Sequence, residues 1–341
     1  MFADRVEEIL ALLGTGSVTK LGAEYYLIKT ANPEALRSAD AAMYVQWNLP
    51  VEHSWPCCPQ EMDGFIEKAA QALWRKFGPR GPQAVFMGQL HPGSPLKYYR
   101  TLASNLRGRT LQLFPRLAAS GAEEQDGGRE TLFCLVGKEG LFCGMQSPQK
   151  SNGLYPGGTK YVSQNTPDTI SRAGAKVAEA LHYLLMYLPA LPAESQWLEL
   201  GASPGGMTSE LLARGFRVTA VDRAPLDKRL DRHRELTFLC ADAATFQPPH
   251  GVRYDALLSD LNGDARESIR IVIRAAKHLR PGGLVIFTLK TPGAETVSET
   301  TALYRSVVES ADAAGLALLA RTHLTYNRQE FTLFFRSRTR G

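Results

Sequence analysis

Cysteine is scarce in this 341-residue chain, at five residues. Cys57, Cys58, Cys134, Cys143 and Cys240 are too scattered for a disulfide framework, and no Cys-x-x-Cys pair occurs. His53, Cys57 and Cys58 lie close in sequence, but the spacing is not that of a zinc site and a fourth ligand is missing, so no metal is expected. Long apolar runs are missing too. The longest, Leu181 to Ala193, is too short to span a bilayer and contains His182, Pro189 and Pro192. The opening Met-Phe-Ala-Asp-Arg-Val-Glu-Glu carries charge where a signal peptide needs an apolar stretch. Secreted and membrane-spanning classes are therefore excluded at this level, and a reducing cytoplasm is expected. There is no internal repeat, no low-complexity tract and no Gly-Lys-Ser/Thr, which excludes a P-loop.

What is present is an ordinary globular composition, 44% hydrophobic and 21% charged, enough for a sizeable core and about two domains. The net charge is +5, with 16 Lys/Arg against 15 Asp/Glu in residues 1–150 and 23 against 19 in residues 151–341. That modest excess suits a polyanionic partner. Arg328, Arg336, Arg338 and Arg340 crowd the C-terminal end, where they form either a basic strand edge or a solvated tail.

The chain changes character along its length. Up to about Leu135 the pattern is mixed: helices at Val6 to Leu13, Met62 to Phe77 and Tyr98 to Leu113, and strands at Tyr25 to Lys29 and Val85 to Leu90. Residues 117–130 read as a polar loop, and two strands, Thr131 to Val136 and Gly140 to Met145, flank a Gly-Lys-Glu-Gly turn. The Pro/Gly/Asn-rich stretch that follows predicts a division into a smaller α+β region over 1–150, a linker over 151–170 and a second domain over 171–341. From Ser171 strands and helices alternate. The strands are Gln196 to Leu200, Arg217 to Val221, Glu235 to Cys240, Tyr254 to Ser259 and Gly283 to Leu289; the helices are Ala173 to Tyr187, one ending at Arg214, Ser268 to Leu279 and Val297 to Ala314. This alternation predicts a doubly wound, mostly parallel α/β sheet. Two final strands, Leu316 to Leu324 and Glu330 to Arg336, break the rhythm as a terminal antiparallel hairpin.

Glu-Leu-Gly-Ala-Ser-Pro-Gly-Gly-Met-Thr (199–208) falls between the first of these strands and a helix. Glycines there let backbone approach a ligand, and the spacing is not Gly-x-Gly-x-x-Gly. Asp222 ends the next strand, where a carboxylate can accept from ribose hydroxyls. Asp242 follows the third, where a carboxylate can receive an adenine amino group. Either aspartate alone reads as a turn or cap residue. The three features in order point to S-adenosylmethionine, held by Ser203, Pro204, Gly205, Gly206, Met207, Asp222, Asp242 and Asp260.

Asp260, in Leu-Leu-Ser-Asp-Leu-Asn-Gly, and Lys290, in Phe-Thr-Leu-Lys, each end a strand, where ligands of open α/β sheets bind. Glu330 opens the last strand, and Lys176 lies early in the helix beginning Ser-Arg-Ala-Gly-Ala-Lys. On these motifs, residues 171–336 resemble the FtsJ-like ribose 2′-O-methyltransferases, marked by a Lys-Asp-Lys-Glu tetrad. Within that family the chain is similar to bacterial enzymes that methylate a cytidine of 23S rRNA and carry an N-terminal THUMP-containing, RNA-binding region. The hairpin at 131–145 and Tyr-Pro-Gly-Gly-Thr-Lys-Tyr (155–161) resemble the end of that region. Glu199, Ser203 and Met207 depart from the family's usual Asp, Ala or Cys, and Trp.

The resemblance implies a class I S-adenosylmethionine-dependent methyltransferase fold behind a THUMP-like domain, with RNA as partner and Lys176, Asp260, Lys290 and Glu330 as catalytic residues. A ribose hydroxyl is a weak nucleophile near neutral pH, so a base must take its proton during attack on the sulfonium methyl. Lys290 is expected to be that base when neutral, a form favoured by burial and by a neighbouring cation, here Lys176. Asp260 then positions the lysines, and Glu330 holds Lys176 or the ribose. A second reading keeps Lys290 protonated and orienting while Asp260 assists. Methylation of tRNA or an mRNA cap, a non-catalytic assembly factor and a small-molecule methyltransferase are the alternatives.

Overall fold

The predicted alternation from Ser171 onward is realised nearly element for element in the computed structural model, which describes residues 5–21, 25–57, 61–90, 97–114, 126–153, 169–327 and 329–338. The N-terminal part comprises α1 (Val6–Leu12), β1 (Val18–Leu21), β2 (Tyr25–Ile28), α2 (Pro33–Ser38), β3 (His53–Trp55), α3 (Met62–Phe77), β4 (Ala84–Gln89), α4 (Lys97–Leu113), β5 (Thr131–Gly137) and β6 (Gly140–Gln146). The C-terminal part comprises α5 (Ala173–Leu184), β7 (Gln196–Leu200), α6 (Gly206–Ala213), β8 (Arg217–Asp222), β9 (Leu236–Cys240), β10 (Tyr254–Ser259), α7 (Ala265–Ala276), β11 (Leu279–Lys290), α8 (Val297–Ala313), β12 (Leu316–Thr322) and β13 (Glu330–Ser337). Most of the linker, much of the 117–130 loop, the 155–161 motif, Cys58, Arg328 and Arg340 lie outside the described residues.

The larger sheet has seven strands in the order β12-β13-β11-β10-β7-β8-β9, and within it β13 alone runs antiparallel to its neighbours. Strand parity divides its side chains between two cores. Leu284 and Ile286 of β11, Ala256 and Leu258 of β10 and Phe334 of β13 pack with Val177, Ala180 and Tyr183 of α5 and Leu211 of α6. Val285, Phe287 and Leu289, together with Leu257 and Phe331, pack on the other face against Ile269 and Val272 of α7 and Val307 of α8. Helices thus cover both faces, as a near-continuous apolar strand such as Leu-Val-Ile-Phe-Thr-Leu requires.

Among the boundaries that differ from the sequence expectation, two have clear local reasons. The seventh helix starts at Ala265, not Ser268, because the Asp264 carboxylate accepts from the Arg266 and Glu267 N–H groups and caps it. The strand expected from Gly283 begins at Leu279, so Arg-Pro-Gly-Gly (280–283) lies inside β11, absorbed as a register shift against β10 between Tyr254 and Ala256. Of the C-terminal arginines within the described residues, Arg336 donates to the Gly282 carbonyl and Arg338 pairs with Asp312.

The N-terminal sheet runs β3-β6-β5-β4, with β4 and β5 parallel, and α3 and α4 pack on one face through Leu73, Phe77, Leu102 and Leu106. Its cysteines are buried. Desolvation holds the Cys134 thiol well above its ordinary range and pushes Cys143 up to about 12, so both stay as thiols. The described residues before Trp47 do not stay with this sheet alone. Met43, fully buried, lies in the core beneath α7 and α8, and Tyr44 packs edge-on against Phe331 at 5.1 Å. Arg321 of β12 donates to the carbonyls of Arg37 and Ala39 and to the Tyr304 hydroxyl. Among the described residues, no helix is long and apolar enough to cross a membrane.

Candidate active site

The parity that sorts the core also gathers the tetrad. Ile286 pairs with Leu258 and with Phe334, all on the α5 face, so Asp260 (two residues after Leu258, just past β10), Lys290 (four after Ile286) and Glu330 (four before Phe334) project toward the same helix. Lys290 and Glu330 are direct cross-strand partners. Lys176, in the first turns of α5, comes down onto them from above.

The four side chains meet. The Asp260 carboxylate bridges the two lysines, with Oδ1 3.1 Å from Lys290 Nζ and Oδ2 3.8 Å from Lys176 Nζ. Glu330 pairs with Lys176 from the other side. All are largely shielded, from 11% exposure for the Glu330 side chain to 19% for Lys290. Lys290 also donates to the Asp260 carbonyl (3.2 Å) and to Asn262 Oδ1 (2.6 Å). Asn262 did not emerge from the sequence reading, though it stands two residues after Asp260 in the quoted motif; its signal was position alone.

The glycine loop lies beside this cluster. Gly201, at φ +81°, is packed so that a Cβ would meet the Asp260 carbonyl at 3.1 Å, which ties the loop to the tetrad. Gly206 has another role: a Cβ there would collide with Ser171 Oγ, so it serves the close approach of α6 to the start of α5. Met207, expected in the cofactor pocket, has its side chain buried in the core shared with α5. Asp222 Oδ2 accepts the Ser203 N–H at 2.9 Å and Oδ1 accepts the Ala224 N–H at 2.8 Å, while Ser203 Oγ donates to the Pro225 carbonyl. Asp242 stays half-exposed beyond β9, accepting the Ala244 N–H and lying 3.9 Å from Arg223.

Glu199, next to last in β7, lies on the same side and is 1% exposed. Burial pushes its carboxyl up to about 8; the Thr208 hydrogen bond opposes this, and the charges of Asp260 and Asp222 add to it. Its Oε1 atom has no hydrogen-bond partner among the described residues. A buried acceptor with spare capacity, a glycine loop at a helix N-terminus and two carboxylates after successive strands fit a nucleoside carrying a cationic amino-acid end. No cluster of three His, Cys, Asp or Glu side chains among the described residues is placed to hold a metal ion.

Strand order, the single reversed strand and the glycine loop after the first strand of the sheet define the class I methyltransferase fold. The chain is a homologue of proteins named ribosomal RNA large subunit methyltransferase M. It is 30% identical to that of Chromohalobacter salexigens over 169 residues, covering 48% of this chain and 46% of the relative. It is 31% identical to that of Aggregatibacter aphrophilus, covering 50% and 48%, and 29% identical to that of Laribacter hongkongensis, covering 64% and 62%. The chain therefore spans about half the length of the first two relatives. No family model matches it. Among solved structures, Aeropyrum pernix fibrillarin with bound S-adenosyl-L-methionine is similar at a TM-score of 0.38 and 20% identity, covering 63% of this chain and 85% of the other.

Proposed function

We propose that this protein transfers a methyl group from S-adenosylmethionine to a ribose 2′-hydroxyl of RNA, with a cytidine of 23S rRNA as target and the cytoplasm as its location. The observation that carries the reading is the Asp260 carboxylate shared by Lys176 and Lys290, with Glu330 closing the cluster beside the glycine loop. The named relatives support rRNA as the substrate class. When bound, the cofactor supplies an electrophilic sulfonium methyl. Ser203 to Gly206 would line its amino-acid end, Asp222 its ribose and Asp242 its adenine, while Glu199 would receive its ammonium group.

Lys290 takes the hydroxyl proton in this reading. It has Asp260 and Asn262 as neighbours rather than an open face, so the incoming ribose hydroxyl displaces one of these oxygens to reach Nζ. Glu330 and Asp260 hold Lys176 in place, and Lys176 orients the hydroxyl; positioning supplies most of the remaining acceleration. The crowd of oxygens around Lys290 also favours a second reading, in which Lys290 stays an ammonium group that orients the hydroxyl and Asp260 receives the proton. Asp260→Asn separates the two: if Lys290 is the base the rate falls but keeps its lysine-dependent rise with pH, and if Asp260 is the base transfer is lost at every pH.

RNA as substrate predicts strong salt dependence, because phosphate contacts release counterions. Raising salt from 50 to 200 mM should weaken binding of labelled 23S rRNA fragments by at least ~10-fold while cofactor affinity changes little. Salt-insensitive turnover of a small acceptor would turn the assignment toward a small-molecule methyltransferase.

A further inference from the structure

One face of α5 carries more than Lys176. Residues 176, 179 and 183 recur at the spacing of a single helical face, and each grips a different point of the β12–β13 hairpin. Lys176 takes Glu330 at the start of β13. Glu179 takes Thr325, in the connection between the strands: its carboxylate accepts the Thr325 N–H at 3.0–3.1 Å and the Thr325 hydroxyl at 2.9 Å. Tyr183 donates to the Arg321 carbonyl on β12 at 3.3 Å and stacks on Phe334 at 5.4 Å.

Glu179 is out of place as a mere surface charge. It is 1% exposed on a helix whose neighbouring positions Val177, Ala178 and Ala180 are apolar and buried. A carboxyl group in such surroundings is destabilising unless its acceptors are used, and here the N–H and hydroxyl of Thr325 use them. Thr325 stands only five residues before Glu330 in the chain.

We propose that Glu179 is a positioning residue for methyl transfer: by clamping Thr325 it fixes the β12–β13 connection and thereby registers Glu330 against Lys176. This rests on the ribose-methylation reading above. In this account α5 is a rack that presents one catalytic lysine and aligns its carboxylate partner with the next helical turn.

The test is a double-mutant cycle on the full chain, read by single-turnover methyl transfer to 23S rRNA. Glu179→Ala should lower the rate about 10- to 100-fold with cofactor and RNA affinities within about twofold, and Glu179→Gln, which keeps an acceptor oxygen, should recover most of it. In a Glu330→Gln background, Glu179→Ala should slow the reaction by less than about twofold, since it acts through Glu330. Multiplicative losses in the double variant, or a wild-type rate in Glu179→Ala, overturn the proposal. Thr325→Val, at an exposed position, breaks the hydroxyl half of the link without disturbing α5 and should give a smaller loss in the same direction. A second readout is independent of activity: amide exchange in the peptide 324–333 should quicken at least ~10-fold in Glu179→Ala. Unchanged exchange overturns the clamp, and quickened exchange in an enzyme that methylates no RNA upholds the clamp while refuting the ribose-methylation reading.

Discussion

At the scale of single residues, Lys290 and Glu199 make separable demands. Lys290→Ala should reduce methyl transfer by about 10²- to 10⁴-fold, the range of a lost proton-transfer group, while leaving S-adenosylmethionine affinity nearly unchanged. Isothermal titration beside single-turnover kinetics checks both halves, and a variant close to the wild-type rate refutes the role. Glu199 is tested through stability. Its folded-state carboxyl keeps its proton up to about pH 8, against an ordinary value of 4.5. The folded state therefore binds more protons than the unfolded state between those limits, and stability falls as pH rises through that window. Glu199→Gln removes this loss. The variant should gain on the wild type from pH 5 to pH 8, by at most about 4 kcal/mol, and the difference should level off above that. Parallel denaturation curves across the range would contradict it.

At the scale of elements, the strands of the larger sheet were legible because each is a short apolar run ending in a residue of different character: Asp222, Asp260, Lys290. Parity then does the rest, since Lys290 and Asp260 share a face with Ile286 and Leu258. Less could be read where tertiary contacts decide. The four-residue β1 and three-residue β3 have no periodicity to detect and exist through pairing, with β2 and β6 respectively. Glu179 was readable as a position three residues after Lys176, but its purpose depends on a loop more than 140 residues away. Asn262 looked like a turn residue until Lys290 was brought beside it. Arg321 is a further case: in sequence it is one of many arginines, in the structure it joins β12, α8 and the end of α2. Arg321→Ala should destabilise the protein by about 2–3 kcal/mol in urea denaturation, because it strips charge-assisted bonds from two carbonyls and a buried tyrosine. A loss below ~0.5 kcal/mol would contradict that.

At the scale of the whole molecule, some residues from before the expected boundaries near 150 and 170 pack against elements that follow them. Met43 and Tyr44 fill the α7/α8 side of the C-terminal sheet, Ile9 and Leu13 pack with Val297, and Asp40 pairs with Arg305. A fragment of residues 169–341 should therefore melt roughly 10 °C below the full chain, from the loss of about 3–4 kcal/mol of apolar burial. Equal melting temperatures would show that the first half contributes nothing to the stability of the second. The most direct measurement is transfer of labelled methyl from S-adenosylmethionine to purified 23S rRNA, followed by nuclease mapping of the labelled nucleotide. A single 2′-O-methylated cytidine, lost with Lys290→Ala, is the expected result. Label on a base, or no transfer to RNA by a protein that binds the cofactor, would contradict it.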